Sequence, residues 1–449
     1  MFNRVLVANR GEIAVRVIRA LHEAGVEAVA VYSTADAGAL HTRLADRAVC
    51  IGPPSAAESY LNMASVIAAA ETTGCEAVHP GYGFLAENPA FVRACEDSDL
   101  VFIGPGADVM ARMGDKAEAK RELAGAGVPL VPGAETASAA AARAAADDVG
   151  FPILLKARAG GGGKGMRLVE DPAQLDDAYA RASAEALAAF GDGRLYLEKT
   201  IVPARHIEIQ VLADADGGVL TLGERECSIQ RRHQKLIEES PSAAVDAETR
   251  ASMEDAVARA SVHIGYVNAG TFEFLLGPDG SFYFIELNAR LQVEHPVSEL
   301  VTGIDIVREQ LRIAAGAPLV MSGRARRRGH AIEVRINAED PSRNFAPAPG
   351  TVTRFRAPLG PGVRVDTHVE DGTAIPPYYD SLIAKLVVWD ENRPTAIERC
   401  LRALKELDLQ GVPTTREAAL EIVAGEAFRS GSYSTGLLDE TRFEAVAVE

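Results

Sequence analysis

Short apolar runs alternate with helix-like stretches through the first hundred residues. The run Val5–Val7 comes first, apolar residues then recur every four positions at Ile13, Val17 and Leu21, and a second run occupies residues 29–32. Such runs are typical of buried strands, and the four-residue spacing is typical of one helix face. Further strands are predicted at residues 77–79 and 100–103, and further helices at 64–70 and 89–95. A strand–helix–strand order predicts a parallel sheet, so we expect an N-terminal α/β domain over residues 1–113.

The pattern changes to short strands with few helices from Phe151 onward. Strand-like runs occupy residues 153–156, 166–169, 195–197 and 206–211. An alanine-rich stretch at 138–146 is interpreted as a solvated surface helix. These runs predict an α+β domain over 114–329. Later runs at 332–336 and 381–389, followed by a helix near Pro394, predict a third domain over 330–449, which suits the length of the chain.

A glycine-rich segment, Gly160 to Gly165 with Lys164 inside it, separates two predicted strands. Glycines let backbone N–H groups approach an anion closely, and Lys156 and Lys164 supply positive charge. The segment is not a Walker A loop, because no Gly-Lys-Ser/Thr opens a helix. It is therefore either a lid over nucleotide phosphates or a flexible hairpin without a ligand.

A predicted hairpin places candidate metal ligands on one face. Its strands run over residues 271–275 and 282–288 around a turn at 277–280, and period-two alternation aligns Glu273, Glu286 and Asn288. Carboxylate and amide oxygens suit Mg²⁺ or Mn²⁺. The alternative is a pair of glutamates on a solvated sheet face.

The residues after this hairpin continue the polar alternation. Arg290, Gln292 and Glu294 alternate with apolar Leu291 and Val293, so an extended chain would align a cation, an amide and a carboxylate beyond the metal ligands. A guanidinium binds a carboxylate-like anion with two parallel hydrogen bonds, and a carboxylate can act as a base. The donor-rich stretch 226–235 is either a solvated charged loop or a second anion clamp.

Charge and composition exclude several classes of partner. The chain has 46 Lys and Arg against 63 Asp and Glu, and this net charge of −17 disfavours a nucleic-acid partner. No apolar run approaches the ~20 residues of a membrane-spanning helix, and the N-terminus enters a strand directly. The five cysteines lack C-x-x-C spacing. We therefore expect reduced thiols and a cytoplasmic protein with no membrane partner.

These segments together closely resemble the biotin carboxylase family of ATP-grasp enzymes. The matching strings are Val-Ala-Asn-Arg-Gly-Glu-Ile-Ala at 7–14, His-Pro-Gly-Tyr-Gly-Phe-Leu at 79–85, Met-Gly-Asp-Lys at 113–116, the glycine-rich segment, and residues 230–235, 288–296, 333–340 and 378–382. The resemblance covers nearly the whole chain. It implies an N-terminal α/β domain, a central ATP-grasp domain with a mobile lid at about 132–202, and a C-terminal α+β domain.

The resemblance also assigns ligand-binding residues. Those implied to bind ATP are Lys116, Lys156, Gly161, Gly162, Gly163, Glu198, Lys199, Ile201, His206, Gln230, His233 and Leu275. Glu273, Glu286 and Asn288 would bind Mg²⁺ or Mn²⁺, with two ions accompanying ATP. Bicarbonate would be held by Lys235, Arg290, Gln292, the backbone of Val293 and Glu294.

The implied reaction proceeds through carboxyphosphate. Bicarbonate attacks the γ-phosphate of ATP to give carboxyphosphate and ADP, and carboxyphosphate decomposes to CO₂ and phosphate. That phosphate deprotonates the ureido nitrogen of biotin, which then captures the CO₂. Glu294 would deprotonate bicarbonate, Arg335 would stabilise the biotin enolate, and Tyr82 would line the biotin pocket. Lys235 and Arg290 complete the implied catalytic set. Positioning and charge neutralisation supply most of the acceleration in such phosphoryl transfers.

Partners follow from the same resemblance. The chain lacks the Met-Lys-Met tripeptide of biotin attachment, so biotin is expected on a separate carrier protein that also serves a carboxyltransferase. A homodimer is implied, with Arg16 and Glu23 near its interface. Arg158 departs from the small residue common in relatives and is expected to alter lid charge. Two alternatives remain: another ATP-grasp ligase with an acyl-phosphate or carbamoyl route, and a catalytically silent nucleotide-binding protein.

Overall fold

A computed structural model describes residues 1–157, 167–190, 192–232, 234–438 and 443 of the chain. Its contacts group the chain into two units. The larger unit comprises Met1–Val128, Arg205–Phe274 and Glu286–Glu449, and the smaller comprises Pro129–Ala204 and Leu275–Ile285. The larger unit thus combines the first and third predicted domains with much of the second. The division into 1–113, 114–329 and 330–449 stays a prediction.

A parallel sheet forms the N-terminal part of the larger unit, and the predicted α/β class is confirmed. Its strands in spatial order are Arg47–Gly52, Glu27–Ser33, Arg4–Val7, Ala77–His79 and Val101–Phe102. Val5, Leu6 and Val7 are fully buried, which is typical of a central strand in a parallel sheet. The helices of this part are Gly11–Glu23, Leu40–Leu44, Met63–Thr73, Pro89–Asp97, Ala107–Gly114 and Lys116–Gly125.

A second, largely antiparallel sheet carries most of the candidate site. Its strands in spatial order are Phe282–Asn288, Asn268–Leu276, Arg205–Ala213, Val219–Arg231, Gln234–Ser240, His330–Asn337, Leu382–Asp390 and Val363–Thr367, and Gly323–Arg324 pairs with Val219–Arg231. The helices that accompany these strands in the chain are Ala247–Ile264, His295–Thr302 and Ile306–Ala314. We call it the large sheet.

An apolar core lies beneath the C-terminal end of the large sheet. Ile332, Val334 and Ile336 are buried at every second position of one strand and pack with the helix Arg393–Glu406. The remaining C-terminal helices are Arg416–Ala424 and Glu426–Ser430. Short strand pairs complete this part: Glu339–Asp340 with Ala346–Pro347, Gly350–Thr351 with Ala374–Ile375, and Arg354–Arg356 with Asp408–Gln410.

The smaller unit has its own sheet and core. Its strands in spatial order are Gly133–Thr136, Leu195–Lys199, Ile153–Ala157 and Arg167–Val169, with helices Ala139–Val149 and Leu175–Phe190. The alanine-rich helix begins after a Ser138 cap, as its sequence predicts. However, Ala142 and Ala146 are buried in the core of the unit, so this helix is solvated on one face only. The segment that contains Arg158 and Gly161 to Lys164 lies outside the described residues.

None of the helices in the described parts of the chain is both long enough and apolar enough to cross a membrane.

Candidate active site

A row of polar side chains lines one face of the strand Arg205–Ala213. Ile207, Ile209 and Val211 alternate with polar residues, which include Glu208. Glu208 pairs directly with Arg225 of the next strand, and both side chains are fully buried. The Arg225 guanidinium also donates to Gln210, Ser298 and Thr271. Because its donors are bonded on several sides, Arg225 is a rigid buried cation.

Lys235 is the centre of the charged cluster. Its Nζ donates to Glu208 at 2.6 Å, to Glu273 at 2.9 Å and to Glu294 at 2.6 Å. Burial alone would lower the pKa of Lys235, but the carboxylates of Glu208 and Glu294 outweigh it and raise that pKa well above its ordinary value. The lysine is therefore charged at neutral pH and joins three carboxylates that would otherwise repel one another.

Glu294 is an ionised carboxylate at the start of a helix. Its two oxygens accept hydrogen bonds from Lys235 and, at 2.9 Å, from Arg335. Burial opposes its ionisation, but Lys235, Arg335 and Arg225 together hold its pKa well below the ordinary value. The residue occupies the N-cap position of helix His295–Thr302, yet its side chain makes no capping hydrogen bond. Its oxygens face the cations instead, in the protonation state that a base requires.

Arg335 lies between two carboxylates. It donates through Nε to Glu238 at 2.6 Å and through Nη2 to Glu294. Glu238 stands directly opposite Glu333 in the neighbouring strand. Burial raises the pKa of Glu238 to about 7 despite the charge of Arg335, and burial raises the pKa of Glu333 well above its ordinary value. The guanidinium plane is thus held at two corners.

The strand that carries the predicted metal ligands ends at Asn288, so the expected extended alignment beyond it is wrong. The N–H of Ala289 is bonded to the Glu87 side chain, and the chain turns before entering the helix at His295. Arg290 folds back, donating to Asn288 and Gln292 at 2.9 Å each and to Glu87 at 2.8 Å. A turn, rather than strand alternation, brings the cation and the amide together.

Glu273 and Asn288 are in direct contact, as the predicted hairpin requires. Glu273 accepts from Asn288 at 2.9 Å and from Gln292 at 3.0 Å, and its second oxygen lies 3.0 Å from His206 Nε2. Burial opposes ionisation of Glu273, but Lys235 and His206 hold its pKa well below the ordinary value. Glu286 is less buried and lies 3.3 Å from the Nζ of Lys116. These oxygen-bearing side chains fit a hard divalent cation chemically.

The remaining predicted residues fall in several places. In the smaller unit, Lys156 forms an ion pair with Glu198, and Lys199 donates to the carbonyl of Gly150 at 3.3 Å. Ile201 and Leu275 belong to the same unit. In the larger unit, Gln230 pairs with Lys235 across two strands, and the Tyr82 hydroxyl donates to Glu12. His233, Gly161, Gly162 and Gly163 lie outside the described residues.

Comparison with known proteins assigns the whole chain to one family. Residues 1–110 match the family described as Biotin carboxylase, N-terminal domain, residues 115–322 match Carbamoyl-phosphate synthase L chain, ATP binding domain, and residues 333–440 match Biotin carboxylase C-terminal domain. A biotin carboxylase of Nostoc sp. is 51% identical over 442 residues, which cover 98% of this chain and 99% of that protein. The chain belongs to the biotin carboxylase family.

Two further relatives show the breadth of the biotin carboxylase family. The chloroplastic biotin carboxylase of Arabidopsis thaliana is 50% identical over 439 residues, covering 97% of this chain and 82% of that protein. The biotin carboxylase domain dimer of Hydrogenobacter thermophilus 2-oxoglutarate carboxylase, solved with MgADP, ADP and bicarbonate, has a TM-score of 0.88, 48% identity and 98% coverage of both chains. The predicted fold and the predicted class of ATP-dependent ligase are confirmed.

Several residues of this biotin carboxylase site were not found from the sequence. They are Glu87, Glu208, Arg225, Glu238, His295 and Lys385. A signal existed for some of them. Glu208 stands among apolar residues at alternate positions of a strand, and a charged residue in such a row is buried whenever its own face is covered. Lys385 gave no local signal, because its contact with Val293 spans 92 residues.

Proposed function

We propose that this protein carboxylates biotin on a separate carrier protein, using ATP and bicarbonate through carboxyphosphate. The reaction is the first half of an acyl-CoA carboxylase cycle. The observation that carries the proposal is the ionised Glu294, held by Lys235 and Arg335. Lys235 also contacts Glu273, which accepts from the amide of Gln292, and that amide accepts from the Arg290 guanidinium. These groups together supply a base and the cationic and amide donors that a small oxyanion needs.

Bicarbonate binds at this set of donors in the proposed reaction. Lys235, Arg290, Gln292 and the Val293 backbone hold the anion, and Glu294 accepts its proton. Glu294 is ionised at neutral pH and so has an oxygen free of a proton to accept this one. Arg335 is bonded to Glu294 and therefore lies where it can stabilise the enolate form of biotin, with Tyr82 lining that pocket. Arg290 and Lys235 neutralise negative charge as it forms.

We also propose a divalent cofactor, either Mg²⁺ or Mn²⁺, with two ions accompanying ATP. Glu273, Glu286 and Asn288 would hold it, and the ion supplies charge neutralisation on the phosphate oxygens when bound. The protein's own part is to keep Glu273 ionised through Lys235 and His206. The assignment of residues to ATP binding is likewise a proposal. These residues are Lys116, Lys156, Gly161 to Gly163, Glu198, Lys199, Ile201, His206, Gln230, His233 and Leu275.

The proposed partners are a biotin carrier protein, a carboxyltransferase and a second copy of this chain, in the cytoplasm. Arg16 and Glu23 lie on the helix Gly11–Glu23 that we assign to the dimer interface. Arg16 is itself largely buried within the chain, where it pairs with Glu299 at 3.0 Å and Asp305 at 2.6 Å. Arg16 therefore ties this helix to the rest of the chain, while Glu23 is exposed.

Release of ADP tests the proposed reaction. The purified protein with ATP and Mg²⁺ is assayed with bicarbonate and free biotin added separately and together. We expect ADP release to require bicarbonate and to rise on addition of biotin. A rate indifferent to both would contradict the carboxylase assignment, and no ATP cleavage in either case would favour a silent nucleotide-binding protein.

Glu294→Gln tests the base within that reaction. The amide keeps the shape but cannot accept the proton, so we expect kcat to fall about 100- to 10,000-fold. Steady-state ADP release under saturating ATP and bicarbonate measures this. Glu398→Gln, which makes the same change at an exposed carboxylate on the helix Arg393–Glu406, serves as the matched control. Undiminished turnover in Glu294→Gln would remove the assigned role.

A further inference from the structure

Two consecutive backbone carbonyls that precede Glu294 are each held by a buried side chain. The carbonyl of Gln292 lies 2.8 Å from Nδ1 of His295, and the carbonyl of Val293 accepts from Nζ of Lys385 at 3.0 Å. Gln292 and Val293 lie in the turn between a strand and a helix, and the Gln292 carbonyl also accepts a long backbone hydrogen bond, 3.4 Å, from the N–H of His295. The shorter contacts, from the side chains of His295 and Lys385, therefore hold the orientation of these two peptide groups more firmly than the backbone does.

Lys385 is a fully buried cation on the strand Leu382–Asp390. Its Nζ lies 3.2 Å from Glu12 and 3.8 Å from Asp366. Burial would lower the pKa of Lys385, but Glu12, Glu333 and Asp366 outweigh it and raise that pKa above its ordinary value. The ammonium is therefore charged at neutral pH. Its hydrogen bond to the carbonyl of Val293 is charge-assisted and stronger than a bond between neutral groups.

His295 is a neutral donor at the same turn. It is completely buried, and burial together with the nearby cations Lys385, Arg16 and Arg364 holds its pKa well below the ordinary value. A neutral imidazole carries one N–H. Because the acceptor beside Nδ1 is a carbonyl, the proton must reside on Nδ1, which then donates to Gln292. The backbone carbonyl of Gln292 therefore determines which tautomer of His295 is present.

The planar peptide transmits both contacts to the anion site. In a trans peptide the carbonyl and the following N–H point in opposite directions. Fixing the carbonyl of Gln292 therefore directs the N–H of Val293, and fixing the carbonyl of Val293 directs the N–H of Glu294. We propose that Lys385 and His295 are positioning residues that set this backbone and thereby shape the bicarbonate site. This inference rests on the proposed function, because bicarbonate is the anion that it assigns to the site.

Lys385 has a second connection that His295 lacks. Glu12, its neighbour at 3.2 Å, also accepts a hydrogen bond from the hydroxyl of Tyr82. Lys385 is thus linked to the residue proposed to line the biotin pocket, as well as to the anion site. Loss of the lysine is expected to affect binding of both bicarbonate and biotin, whereas loss of the histidine is expected to affect bicarbonate alone.

Paired variants test the positioning role by comparing KM for bicarbonate with KM for ATP. His295→Leu removes the donor, and His295→Asn restores an N–H at the place of Nδ1. Lys385→Met removes the charge, and Lys385→Arg restores it. In the bicarbonate- and biotin-dependent ADP assay, we expect KM for bicarbonate to rise about tenfold to a hundredfold in His295→Leu and Lys385→Met. KM for ATP should stay at the wild-type value, and His295→Asn and Lys385→Arg should recover most of the loss.

The outcomes separate this inference from the proposed function. If the wild-type protein shows no response to bicarbonate, the proposed function fails. If it responds but the four variants keep the wild-type KM for bicarbonate, the positioning role is overturned. Equal rises in KM for bicarbonate and ATP would indicate general disruption and would also overturn it. Because Lys385→Met leaves buried carboxylates without their cation, the His295 pair decides the matter if that variant does not fold.

Discussion

Two neighbouring glutamates on one strand of the large sheet have pKa values that are shifted in opposite directions. Glu238 and Glu239 are consecutive in Gln234–Ser240, so their side chains point to opposite faces. Glu239 is bonded to His330 at 2.7 Å, to Arg393 at 2.8 Å and 3.1 Å, and to Tyr433. Burial opposes its ionisation, but His330 and Arg393 lower its pKa to about 2. The pKa of Glu238 is instead raised to about 7.

The two pKa values differ because the two faces of this strand offer the glutamates different numbers of cationic partners. On the Glu239 face, one carboxylate is matched by an arginine, a histidine and a hydroxyl. On the Glu238 face, Arg335 is shared with Glu294, and Glu333 stands directly opposite. A matched charge stabilises the fold, whereas a surplus of buried carboxylates costs stability and keeps protonation states adjustable. The second arrangement coincides with the candidate active site.

The largest expected effect is the loss of stability in Glu239→Gln. Removing the carboxylate leaves Arg393 and His330 without their partner, so the free energy of unfolding at pH 7 should fall by about 3–5 kcal/mol. The folded pKa lies below the ordinary value of 4.5, so the stabilisation is present above that pH and disappears as the pH falls toward 2. In urea unfolding, the difference in the free energy of unfolding between the variant and the wild type should therefore become smaller between pH 5 and pH 3. A gap independent of pH would contradict the assignment.

Glu238→Gln should have the opposite effect of Glu239→Gln on stability. Because the folded pKa of Glu238 is raised, the wild-type protein loses stability as the pH rises from 4.5 to about 7, and the variant escapes that loss. We expect it to be at least as stable as wild type at pH 8. Its kcat should fall about tenfold or more, because Arg335 loses one of its two anchors. Urea unfolding and ADP release measure the two effects, and a stability loss equal to that of Glu239→Gln would erase the contrast.

The smallest expected effect belongs to an exposed ion pair. Asp177 and Arg181 lie 2.8 Å apart on the helix Leu175–Phe190, with side chains 69% and 65% exposed. Water screens such a pair, so Asp177→Asn should change the free energy of unfolding by less than about 0.5 kcal/mol. The same urea titration detects it. A change as large as that of Glu239→Gln would show that burial does not govern the contrast between the two glutamates.

Local periodicity predicted the elements of the fold well and the partners across the large sheet poorly. Glu27–Ser33 and Ala77–His79 follow from apolar runs, because burial of successive side chains is visible in the sequence itself. Glu273 and Asn288 could be paired because a short turn joins their strands. The contacts of Glu238 with Arg335 and of Lys385 with Val293 could not be predicted, because they join segments that are distant in the sequence. The turn after Asn288 was hidden because its polar residues keep the alternation of a strand.

The N-cap position of Glu294 has a consequence for protein engineering. Stabilising a helix by replacing its first residue with Asp, Ser or Asn is a standard route to a more robust protein, worth about 1 kcal/mol. Here the helix His295–Thr302 begins after a residue whose side chain makes no cap. A thermostabilisation search guided by helix chemistry alone would choose this position and would remove the proposed base. The missing cap is therefore a stability that this helix would give up for the role proposed for Glu294.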